Sequence, residues 1–565
     1  MYCKNADKPE EKGKLYDDLI NISLSDSELC RENNTISYLI ELFESYTNDH
    51  HAAEEIAEAY EFADFLHKKP REGKSSKRES GEDYITHPLA VAIILACLYA
   101  DKDTIIASIF HDILEETYVT SYIIGQRYNQ DVMNYVIGVS KIENIGDELV
   151  KLSDAEYKRK MVTEGSKDLV ILVIKLSDRL HNMRSLYFKK DEDRKKQIAL
   201  DTINYYAPLA DMIGMNVFKD ELEDLAFKNI APEAYDIIDR KIKEEIENRK
   251  GRIMETIKFI EDCSKFGNQY EYELKFTKKN IYSIYKKCYN SVTKEVTGLD
   301  KIDDLVSVHI IVKDEEKCRE VNKLIASAYR VNKDETKDYI TCPKTDTFKS
   351  LQTTIYDDQN KMIQFQIRTP EMEKLADYGY AAYWELNGHS AKKDMYEASK
   401  RNLFKPIHAI DRIYSNDDEF MANFQNEILS EDKITVYTPK GQPIILPAGS
   451  TAIDFAYRIH TEVGNELDFA VISSYNPEIC NKPYDKRTAE EKIDSLFHPL
   501  ENGDIVLLAK KGKVTVNSSW LDNTKTKRAR KKIIECLRDI NDSKISNLST
   551  GANMIEEHKI KELHM

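Results

Sequence analysis

Histidine and aspartate residues stand beside apolar helical runs at separate places in this sequence. Those runs, with the apolar spacing of buried helices, are Leu89–Ala100, Ile105–Phe110 and Val170–Leu180. His87, His111, Asp112 and Asp178 lie in or next to them. A bare charge is costly to bury there unless it is paired or bound to a metal. The pattern predicts an all-α block in which these four side chains converge. The alternative is that they are scattered core or capping residues.

The mixture of donors favours a metal site. Two imidazoles and two carboxylates suit a divalent transition metal such as manganese, which accepts nitrogen and oxygen ligands together. Glu115 and Glu116 follow Asp112 by three and four residues, so helical spacing lets all three carboxylates share one face. A bound metal would lower the pKa of its water, and a neighbouring glutamate could move the proton.

A second helix extends this arrangement. Asp178, Asn182 and Ser185 are spaced at i, i+4 and i+7, which places them on one side of a helix. The spacing predicts one metal ligand and two polar substrate contacts on that side.

The remainder of the chain has a different pattern. From about Gly267, β-rich runs such as Leu305–Val312 and Met362–Ile367 alternate with helical stretches, which is typical of an α/β or α+β domain. Residues 393–430 have the pattern of a helical connector.

The C-terminal part predicts a small α+β module. Ile434–Gly441 and Pro443–Pro447 have the pattern of a β-hairpin with a Lys-Gly turn. A helix around Phe455 and a late strand at Asp504–Leu508 complete the module, and the tail beyond Lys510 is basic and then helical.

Composition excludes several classes of protein. The formal net charge of −17 argues against a general polyanion binder, although a local basic patch can still bind one. None of the 9 cysteines forms a C-x-x-C pair, which excludes the common zinc-ribbon spacings. The longest apolar stretch, Leu89–Ala100, is too short to span a bilayer, and the N-terminus lacks the apolar core of a signal peptide. We therefore expect a cytoplasmic protein without a membrane partner.

Four motifs carry a family resemblance: His87–Ala92, His111–Thr117, Lys175–Arg184 and Tyr206–Ala210. They resemble the hydrolase domain of the RelA/SpoT homologues, long-chain enzymes that make and degrade the alarmone guanosine tetra- or pentaphosphate, (p)ppGpp. The resemblance runs from about His51 to about Glu535. It implies a manganese-dependent HD hydrolase that removes the 3′-pyrophosphate of the alarmone and yields GDP or GTP.

The resemblance assigns residues to this hydrolase site. It implies metal ligands at His87, His111, Asp112 and Asp178, and a catalytic pair at Glu115 and Glu116, where the family usually has Glu-Asp. The positions that match nucleotide contacts are Arg78, Ser80, Asn182 and Ser185. The lysine that usually follows the arginine is Glu79 here.

The middle of the chain resembles the synthetase domain of the same family, which has a nucleotidyltransferase-like α/β fold. Matching segments include Lys278–Lys287, Asp304-Leu305 and Gln366–Thr369. The resemblance implies nucleotide- or magnesium-site positions at Lys279, Ser283, Lys287, Asp304, Lys337, Lys344, Phe348, Gln364 and Gln366.

Several reactive positions depart from the family pattern. Thr277 and His309 replace arginines, Phe348 replaces a tyrosine, and Asp334-Glu335 replaces Gly-Arg. Gln364 replaces a glutamate, and a neutral amide can neither act as a base nor balance a magnesium ion as a carboxylate does. We therefore expect a hydrolase with a silent or crippled synthetase domain, in which Mg²⁺ is needed only if that site is active. The alternative is a bifunctional enzyme that transfers pyrophosphate from ATP to GTP or GDP.

The C-terminal module resembles the TGS domain, a small β-grasp fold, in Thr438–Gly441, Leu446–Thr461 and Gly503–Val506. The resemblance puts His460 at the position that meets the acceptor end of a ribosome-bound tRNA. Residues 510–532 hold 9 Lys/Arg against one acid, which favours RNA contact. A further alternative is therefore a ribosome- or tRNA-binding regulator with secondary catalysis. The sequence leaves oligomerisation open.

We predict six segments: an N-terminal extension (1–50), an HD hydrolase domain (51–227), a synthetase-like domain (228–392), a helical linker (393–431), a TGS domain (432–509) and a basic helical segment (510–565).

Overall fold

The structure is a computed structural model. It describes residues 3–4, 34–145, 148–262, 271–290, 292–299, 302, 304–341, 343, 345–356, 362–399, 404–429, 433–439, 443–473, 492–494, 496–501 and 503–540. The chain forms two compact units, Met1–Met421 and Ala422–Met565. Each unit is described by itself.

The first unit begins with a helical domain. Its helices are α1 (Ile36–Thr47), α2 (His50–His67), α3 (Thr86–Ala96), α4 (Lys102–Ile109), α5 (Ile113–Glu116), α6 (Ser121–Arg127), α7 (Gln130–Val139), α8 (Asp154–Gly165), α9 (Leu169–Arg184), α10 (Glu192–Asp201), α11 (Ala207–Met212), α12 (Asn216–Ile230) and α13 (Pro232–Asp262). A 3₁₀ turn (Leu186–Phe188) follows α9, and a π-helix (Thr202–Tyr206) joins α10 to α11.

Local sequence explains where several of these helices begin. The side chains of Asp49, Asp101 and Asp168 accept hydrogen bonds from the first-turn backbone N–H groups of α2, α4 and α9. Helices α3 and α9 are buried along most of their length, so they form the centre of the domain. The predicted all-α block is therefore confirmed.

One element of this domain has no helical pattern. Strands β2 (Ile142–Ile145) and β3 (Glu148–Lys151) pair as an antiparallel hairpin between α7 and α8. The apolar spacing of the sequence gives no signal for it, because the hairpin has only four residues in each strand.

The sheet domain of the first unit contains a mixed sheet of six strands. These are β1 (Cys3–Lys4), β4 (Tyr272–Lys278), β7 (Val306–Val312), β8 (Arg330–Asp338), β9 (Leu351–Tyr356) and β10 (Met362–Arg368), in the order β1-β4-β7-β10-β9-β8. Only β7 and β10 pair in parallel. The predicted β-rich runs are the two central strands.

Short strands and helices complete this domain. They are β5 (Tyr289–Asn290), β6 (Glu295–Val296), α14 (Ile281–Cys288), α15 (Glu315–Ala328), α16 (Pro370–Tyr378), α17 (Tyr383–Asn387), α18 (Ala391–Ser399), α19 (Lys405–Ile413) and α20 (Asp417–Phe424), with 3₁₀ turns at Gly379–Ala382 and Gly388–Ser390. The predicted helical connector coincides with α19 and α20.

Direct contacts join the helical and sheet parts of this unit. The Asp224 carboxylate of α12 accepts the backbone N–H groups of Ile281 and Tyr282, at 2.9 and 2.8 Å, where α14 begins. On another side, the indole Nε1 of Trp384 donates to Asp101 Oδ2 at 3.1 Å. The synthetase-like part is therefore packed directly on the helical domain.

The second unit is a β-grasp module. Its strands β11 (Lys433–Tyr437), β12 (Pro443–Pro447), β13 (Leu467–Ser473), β14 (Lys492–Asp494) and β15 (Ile505–Lys510) form a sheet in the order β12-β11-β15-β13-β14. The other elements are α21 (Ala452–Ile459), α22 (Thr461–Asn465), a π-helix (Gln425–Leu429), a 3₁₀ turn (Ser518–Asn523) and a helix over residues 527–540.

The sequence predicts the main parts of this module correctly. The hairpin β11–β12, the helix around Phe455 and the late strand β15 are all present. Phe455 is fully buried and packs in a core with Val436, Leu446 and Val506. The predicted Lys-Gly turn lies outside the described residues.

Candidate active site

Four predicted metal ligands converge in the helical domain. Nε2 of His87 lies 3.1 Å from Asp178 Oδ1 and 3.2 Å from His111 Nε2. Nε2 of His111 lies 3.3 Å from Asp112 Oδ2 and 3.6 Å from Asp178 Oδ1. His87 comes from the first turn of α3, His111 and Asp112 from the turn between α4 and α5, and Asp178 from α9. His87, His111 and Asp178 each offer a ligand atom within 4.8 Å of the others, and Asp112 Oδ2 adjoins both imidazoles. Such nitrogen and oxygen donors match one divalent cation.

Hydrogen bonds orient the two imidazoles. Nδ1 of His111 donates to the Ser108 carbonyl oxygen at 2.7 Å, which turns Nε2 toward the cluster. Nδ1 of His87 lies 2.7 Å from Nδ1 of His181. Both rings therefore direct Nε2 into the cluster.

The carboxylates of the cluster are also held. Tyr84 Oη donates to Asp112 Oδ2 at 3.0 Å, and Lys175 Nζ donates to Asp178 Oδ2 at 2.7 Å. Burial opposes the ionisation of Asp178, but Lys175 and the imidazoles hold its pKa well below the usual range. Burial alone would lower the pKa of His111, yet Asp112 and Asp178 raise it to about 10. The Asp178 carboxylate is thus ionised, and an ionised carboxylate attracts a cation.

The predicted catalytic pair lies at the end of the one-turn helix α5, and its two members have different partners. Glu115 Oε1 accepts the backbone N–H of Lys141 at 2.7 Å, just before the β2–β3 hairpin. Glu116 Oε1 accepts from Lys74 Nζ at 2.6 Å. Burial raises the pKa of Glu116, and Lys74 partly offsets that rise.

Three of the predicted nucleotide contacts lie beside the cluster. Arg78 Nη2 donates to Ser185 Oγ at 3.1 Å, and Arg78 Nη1 lies 3.4 Å from His181 Nδ1. Asn182 Nδ2 donates to Asp178 Oδ1 at 2.5 Å. The structure therefore brings Arg78, Asn182 and Ser185 together around the metal ligands.

The fourth predicted contact points elsewhere. Ser80 Oγ donates to Glu82 Oε2 at 2.9 Å. Its neighbour Glu79, which stands where the family has lysine, pairs with Lys189. A lysine is therefore present at this side of the site, but it is Lys189, which follows α9 in the sequence.

Sequence reasoning missed four residues that support the cluster. His181 and Lys175 belong to the motif around Asp178, and their helical spacing from Asp178 could have indicated their position. Tyr84 precedes His87 by three residues, one helical turn. Lys74 stands in a loop far from Glu116 in sequence, so no local pattern relates the two.

The synthetase-like positions are largely engaged with one another. Lys279 pairs with Asp304, the predicted magnesium ligand. Ser283 is partly exposed on α14, and Lys287 and Lys337 are exposed. Lys344 lies outside the described residues. The Phe348 ring contacts Tyr339 at 5.8 Å between centroids, and the Arg368 guanidinium lies 4.9 Å from its centroid.

Three of the substituted positions, Thr277, His309 and Gln364, lie close together on neighbouring strands of the sheet. Strand register aligns Thr277 with Ser307 and Ser307 with Gln364, and it aligns His309 with Gln366. Gln364 Oε1 accepts from Ser307 Oγ and from Gln366 Nε2, both at 3.0 Å. The neutral side chain of Gln364 thus takes part in a hydrogen-bond network of the sheet.

A buried carboxylate closes this network. Glu373 of α16 accepts from Lys275 Nζ at 2.9 Å and Arg368 Nη1 at 2.8 Å, and lies 2.8 Å from His309 Nδ1. Nε2 of His309 lies 3.0 Å from Thr277 Oγ1. His309 and Thr277, which replace two arginines of the family, therefore bond to each other.

The second unit presents the predicted RNA contact. His460 is exposed, and its Nδ1 accepts the Glu462 backbone N–H at 3.2 Å at the start of α22. Part of the basic run is neutralised, because Lys510 pairs with Glu462 at 2.8 Å and Lys511 with Asp468 at 3.0 Å. The basic surface is thus smaller than the residue count suggests.

Three family models match consecutive parts of the chain. The HD domain model matches residues 59–216, the model of the region found in RelA/SpoT proteins matches residues 277–391, and the TGS domain model matches residues 434–510. The metal-ligand cluster lies within the first match and the Gln364 network within the second.

Curated relatives cover most of the chain. The "guanosine-3′,5′-bis(diphosphate) 3′-pyrophosphohydrolase" of Aquifex aeolicus is 35% identical over 511 residues, which are 90% of this chain and 68% of that protein. This chain belongs to the RelA/SpoT family. The Borreliella burgdorferi relative of the same name is 32% identical and covers 87% of this chain and 69% of itself. The "bifunctional (p)ppGpp synthase/hydrolase SpoT" of Escherichia coli is 31% identical, covering 82% of this chain and 62% of itself.

Membership of the RelA/SpoT family confirms the resemblance and the multidomain fold class that the motifs predict. Among the helices within the described ranges, none combines the length and apolar composition that crossing a membrane requires.

Proposed function

We propose that this chain is a divalent-metal-dependent hydrolase that removes the 3′-pyrophosphate of (p)ppGpp and yields GDP or GTP. The observation that carries the proposal is the convergence of His87, His111, Asp112 and Asp178 on one point, with Nε2 to carboxylate-oxygen distances of 3.1–3.7 Å. We further propose Mn²⁺ as the metal and the cytoplasm as the location. The names of the Aquifex and Borreliella relatives support the reaction.

In this proposal the chain's own residues prepare the site. A divalent metal, when bound, would lower the pKa of a coordinated water. Ser108 and His181 hold the imidazoles with Nε2 directed into the cluster, while Lys175 fixes Asp178. Glu115 and Glu116 are the carboxylates that move the proton, and the Lys141 N–H keeps Glu115 in position.

Substrate contacts follow from the same geometry. Arg78 carries a guanidinium beside Ser185, where it is suited to bind phosphate oxygens in bidentate fashion. Asn182 offers an amide for a sugar or base contact. Ser80 stays a predicted contact of the nucleotide. In this structure its hydroxyl is instead bonded to Glu82.

A chelation experiment with a matched variant tests the reaction. Purified full-length protein is treated with EDTA and assayed on ppGpp with and without added Mn²⁺. We expect Mn²⁺ to restore turnover, and Asp112→Ala to lower it at least about a thousandfold. Asp83→Ala, which removes an exposed partner of Lys77, serves as the control and retains turnover. Hydrolysis that survives both EDTA and Asp112→Ala would refute the proposal.

We also propose that the synthetase-like domain does not transfer pyrophosphate. The support is the pairing of Asp304 with Lys279 and the amide at Gln364, which leave no carboxylate pair for Mg²⁺ among the described positions of that face. Incubation with ATP, GTP and Mg²⁺ should give no detectable pppGpp, in the wild type and in Asp112→Ala, which cannot degrade the product. Formation of pppGpp by Asp112→Ala would establish the bifunctional alternative, which the name of the Escherichia coli relative favours.

A role in RNA binding is a second candidate function, which the TGS match favours. We propose that His460 and the exposed lysines Lys525 and Lys527 contact tRNA or ribosomal RNA. Fluorescence anisotropy with labelled tRNA should detect binding that weakens steeply with salt. Lys525→Glu with Lys527→Glu should lower the affinity, and Asp112→Ala should not. Equal affinity of the charge-reversed variant would exclude this surface.

A further inference from the structure

The loop between α2 and α3 supplies a lysine to the catalytic pair. Lys74 Nζ donates to Glu116 Oε1 at 2.6 Å, and the Lys74 side chain is 41% exposed whereas that of Glu116 is 13% exposed. The lysine therefore stands between solvent and a carboxylate of the site. This position is accessible to a ligand that approaches the metal cluster from solution.

The loop is fixed at this place by contacts with the segment that follows Glu116. The backbone N–H of Arg71 donates to the Glu116 carbonyl at 2.8 Å, and its Nε donates to the Thr117 carbonyl. The Glu72 N–H donates to Tyr118 Oη at 3.2 Å. The position of the Lys74 backbone is thus determined by the loop itself and does not depend on the Lys74–Glu116 ion pair.

The same loop delivers a second cation. Arg78 follows Lys74 by four residues and reaches Ser185, beside His181. Lys74 approaches from the side of Glu116. Two cations from one loop therefore border the cluster, which is an arrangement suited to an anion with several charged oxygens.

The partners of the two glutamates differ in how easily they can be exchanged. Glu115 is held by a backbone N–H, which has a fixed position. Glu116 is held by the flexible side chain of a partly exposed lysine, and such ion pairs contribute little free energy because water competes for both charges. A polyphosphate carries more negative charge than one carboxylate and is a stronger partner for the ammonium group.

We propose that Lys74 is a phosphate-binding residue of the hydrolase site that exchanges Glu116 for an oxygen of the substrate's pyrophosphate group. The exchange leaves Glu116 without its cation when substrate is bound, so the carboxylate is free to accept a proton. No covalent bond changes in this step. The inference rests on the proposed function for the identity of the substrate, but the anion contact can be measured separately.

Calorimetric titration of full-length protein with inorganic pyrophosphate, at one fixed Mn²⁺ concentration, tests the contact. Lys74→Met should weaken pyrophosphate binding roughly tenfold, and Lys74→Arg should restore most of it. Glu116→Gln should tighten binding by about threefold, because it removes the carboxylate that competes for Lys74. Lys77→Met is the matched control: Lys77 lies in the same loop and pairs with Asp83, so its loss should change affinity by less than about twofold.

Lys74→Met should weaken pyrophosphate binding and Glu116→Gln should tighten it, and these opposite effects distinguish phosphate binding by Lys74 from a purely structural role. If Lys74 only supports Glu116, Lys74→Met and Glu116→Gln leave pyrophosphate affinity unchanged, and the inference is wrong. Melting temperatures of both variants should match the wild type, which shows that the binding changes are local. A melting temperature lowered in Lys74→Met together with unchanged binding in Glu116→Gln also contradicts the inference.

The hydrolysis assay distinguishes failure of the inference from failure of the proposed function. Turnover of ppGpp with equal pyrophosphate affinity in wild type and Lys74→Met refutes only the inference. Absence of turnover with Lys74-dependent pyrophosphate binding refutes only the proposed reaction. Absence of both refutes both.

Discussion

The two carboxylates that we propose as metal ligands, Asp112 and Asp178, are each held by a neighbouring side chain. Tyr84 binds Asp112 and Lys175 binds Asp178, both through Oδ2. Such outer contacts fix the direction in which a ligand oxygen points. Lys175 is notable because a lysine is rarely buried, and here it is only 5% exposed.

Replacement of Lys175 should make folding depend on metal. In Lys175→Met the Asp178 carboxylate stays buried without its cation, so we expect the metal-free protein to lose about 3 kcal/mol of stability. Added Mn²⁺ should recover most of that loss, because the metal replaces the missing positive charge. Urea unfolding with EDTA or with Mn²⁺ measures both quantities.

Lys167→Met provides the comparison for this variant. Lys167 forms an exposed i,i+3 pair with Glu164, so its removal should cost less than about 0.5 kcal/mol in either condition. Equal stability losses for the two lysine variants would contradict the prediction.

At the scale of single elements, helix α16 anchors the synthetase-like sheet through Glu373. Burial opposes its ionisation, but His309, Lys275 and Arg368 hold the pKa of Glu373 well below its usual range. A depressed pKa contributes stability above the unfolded-state value, about 4.5, and that stability is lost as the pH falls through the folded-state pKa. Glu373→Gln should therefore cost about 3 kcal/mol at pH 7 and reduce the acid sensitivity of unfolding.

Urea unfolding at pH 7, 5 and 3 checks this prediction. Glu371→Gln is the matched variant, since Glu371 occupies the first turn of the same helix and is exposed. It should unfold like the wild type at each pH. A Glu373→Gln variant whose stability declines between pH 5 and 3 as steeply as that of the wild type would show that Glu373 is not the responsible group.

Glycine substitutions after α16 test how closely that part of the chain approaches the helical domain. Gly379 has φ +57°, and a Cβ there would lie 2.1 Å from the Ile213 carbonyl oxygen. Gly388 has φ +50°, and a Cβ there would meet no atom within 4 Å. Gly388→Ala should cost about 1 kcal/mol from backbone strain, and Gly379→Ala at least about 3 kcal/mol, because it adds a backbone clash. Thermal melting measures the difference, and equal costs would mean that the close approach is absent.

Across the whole molecule, the metal-ligand cluster belongs to one of two compact units. Every residue of the cluster lies in Met1–Met421. Because a ligand that binds only the folded state stabilises it by about 2.7 kcal/mol at a hundredfold excess over Kd, we expect EDTA to lower the thermal transition of this unit. The transition of Ala422–Met565 should not move.

Scanning calorimetry of the full chain with and without EDTA tests this expectation. In Asp112→Ala the difference between the two conditions should shrink, because a ligand has been removed. A shift of equal size in both transitions would place metal binding outside the cluster.

The sequence predicted much of the site and left out particular parts. His87, His111, Asp112 and Asp178 were found because each lies in or next to an apolar helical run, where a buried charge is costly unless it is paired or bound to a metal. The metal identity, the roles of the site residues and the six segment bounds stay predictions. Lys74 and the β2–β3 hairpin were missed, because one acts through a contact 42 residues away and the other is too short for a periodic signal.

Local periodicity was therefore sufficient to predict the helical block, the central strands and the β-grasp module. Each of them buries an apolar face, and the apolar residues of that face recur at a regular spacing along the sequence. Family membership was likewise determined by short motifs. Tertiary structure alone decided which carboxylate oxygen faces the cluster, that Glu115 and Glu116 have different partners, and that Gln364 is bonded within the sheet. These contacts join residues distant in sequence, and their geometry depends on how whole elements pack.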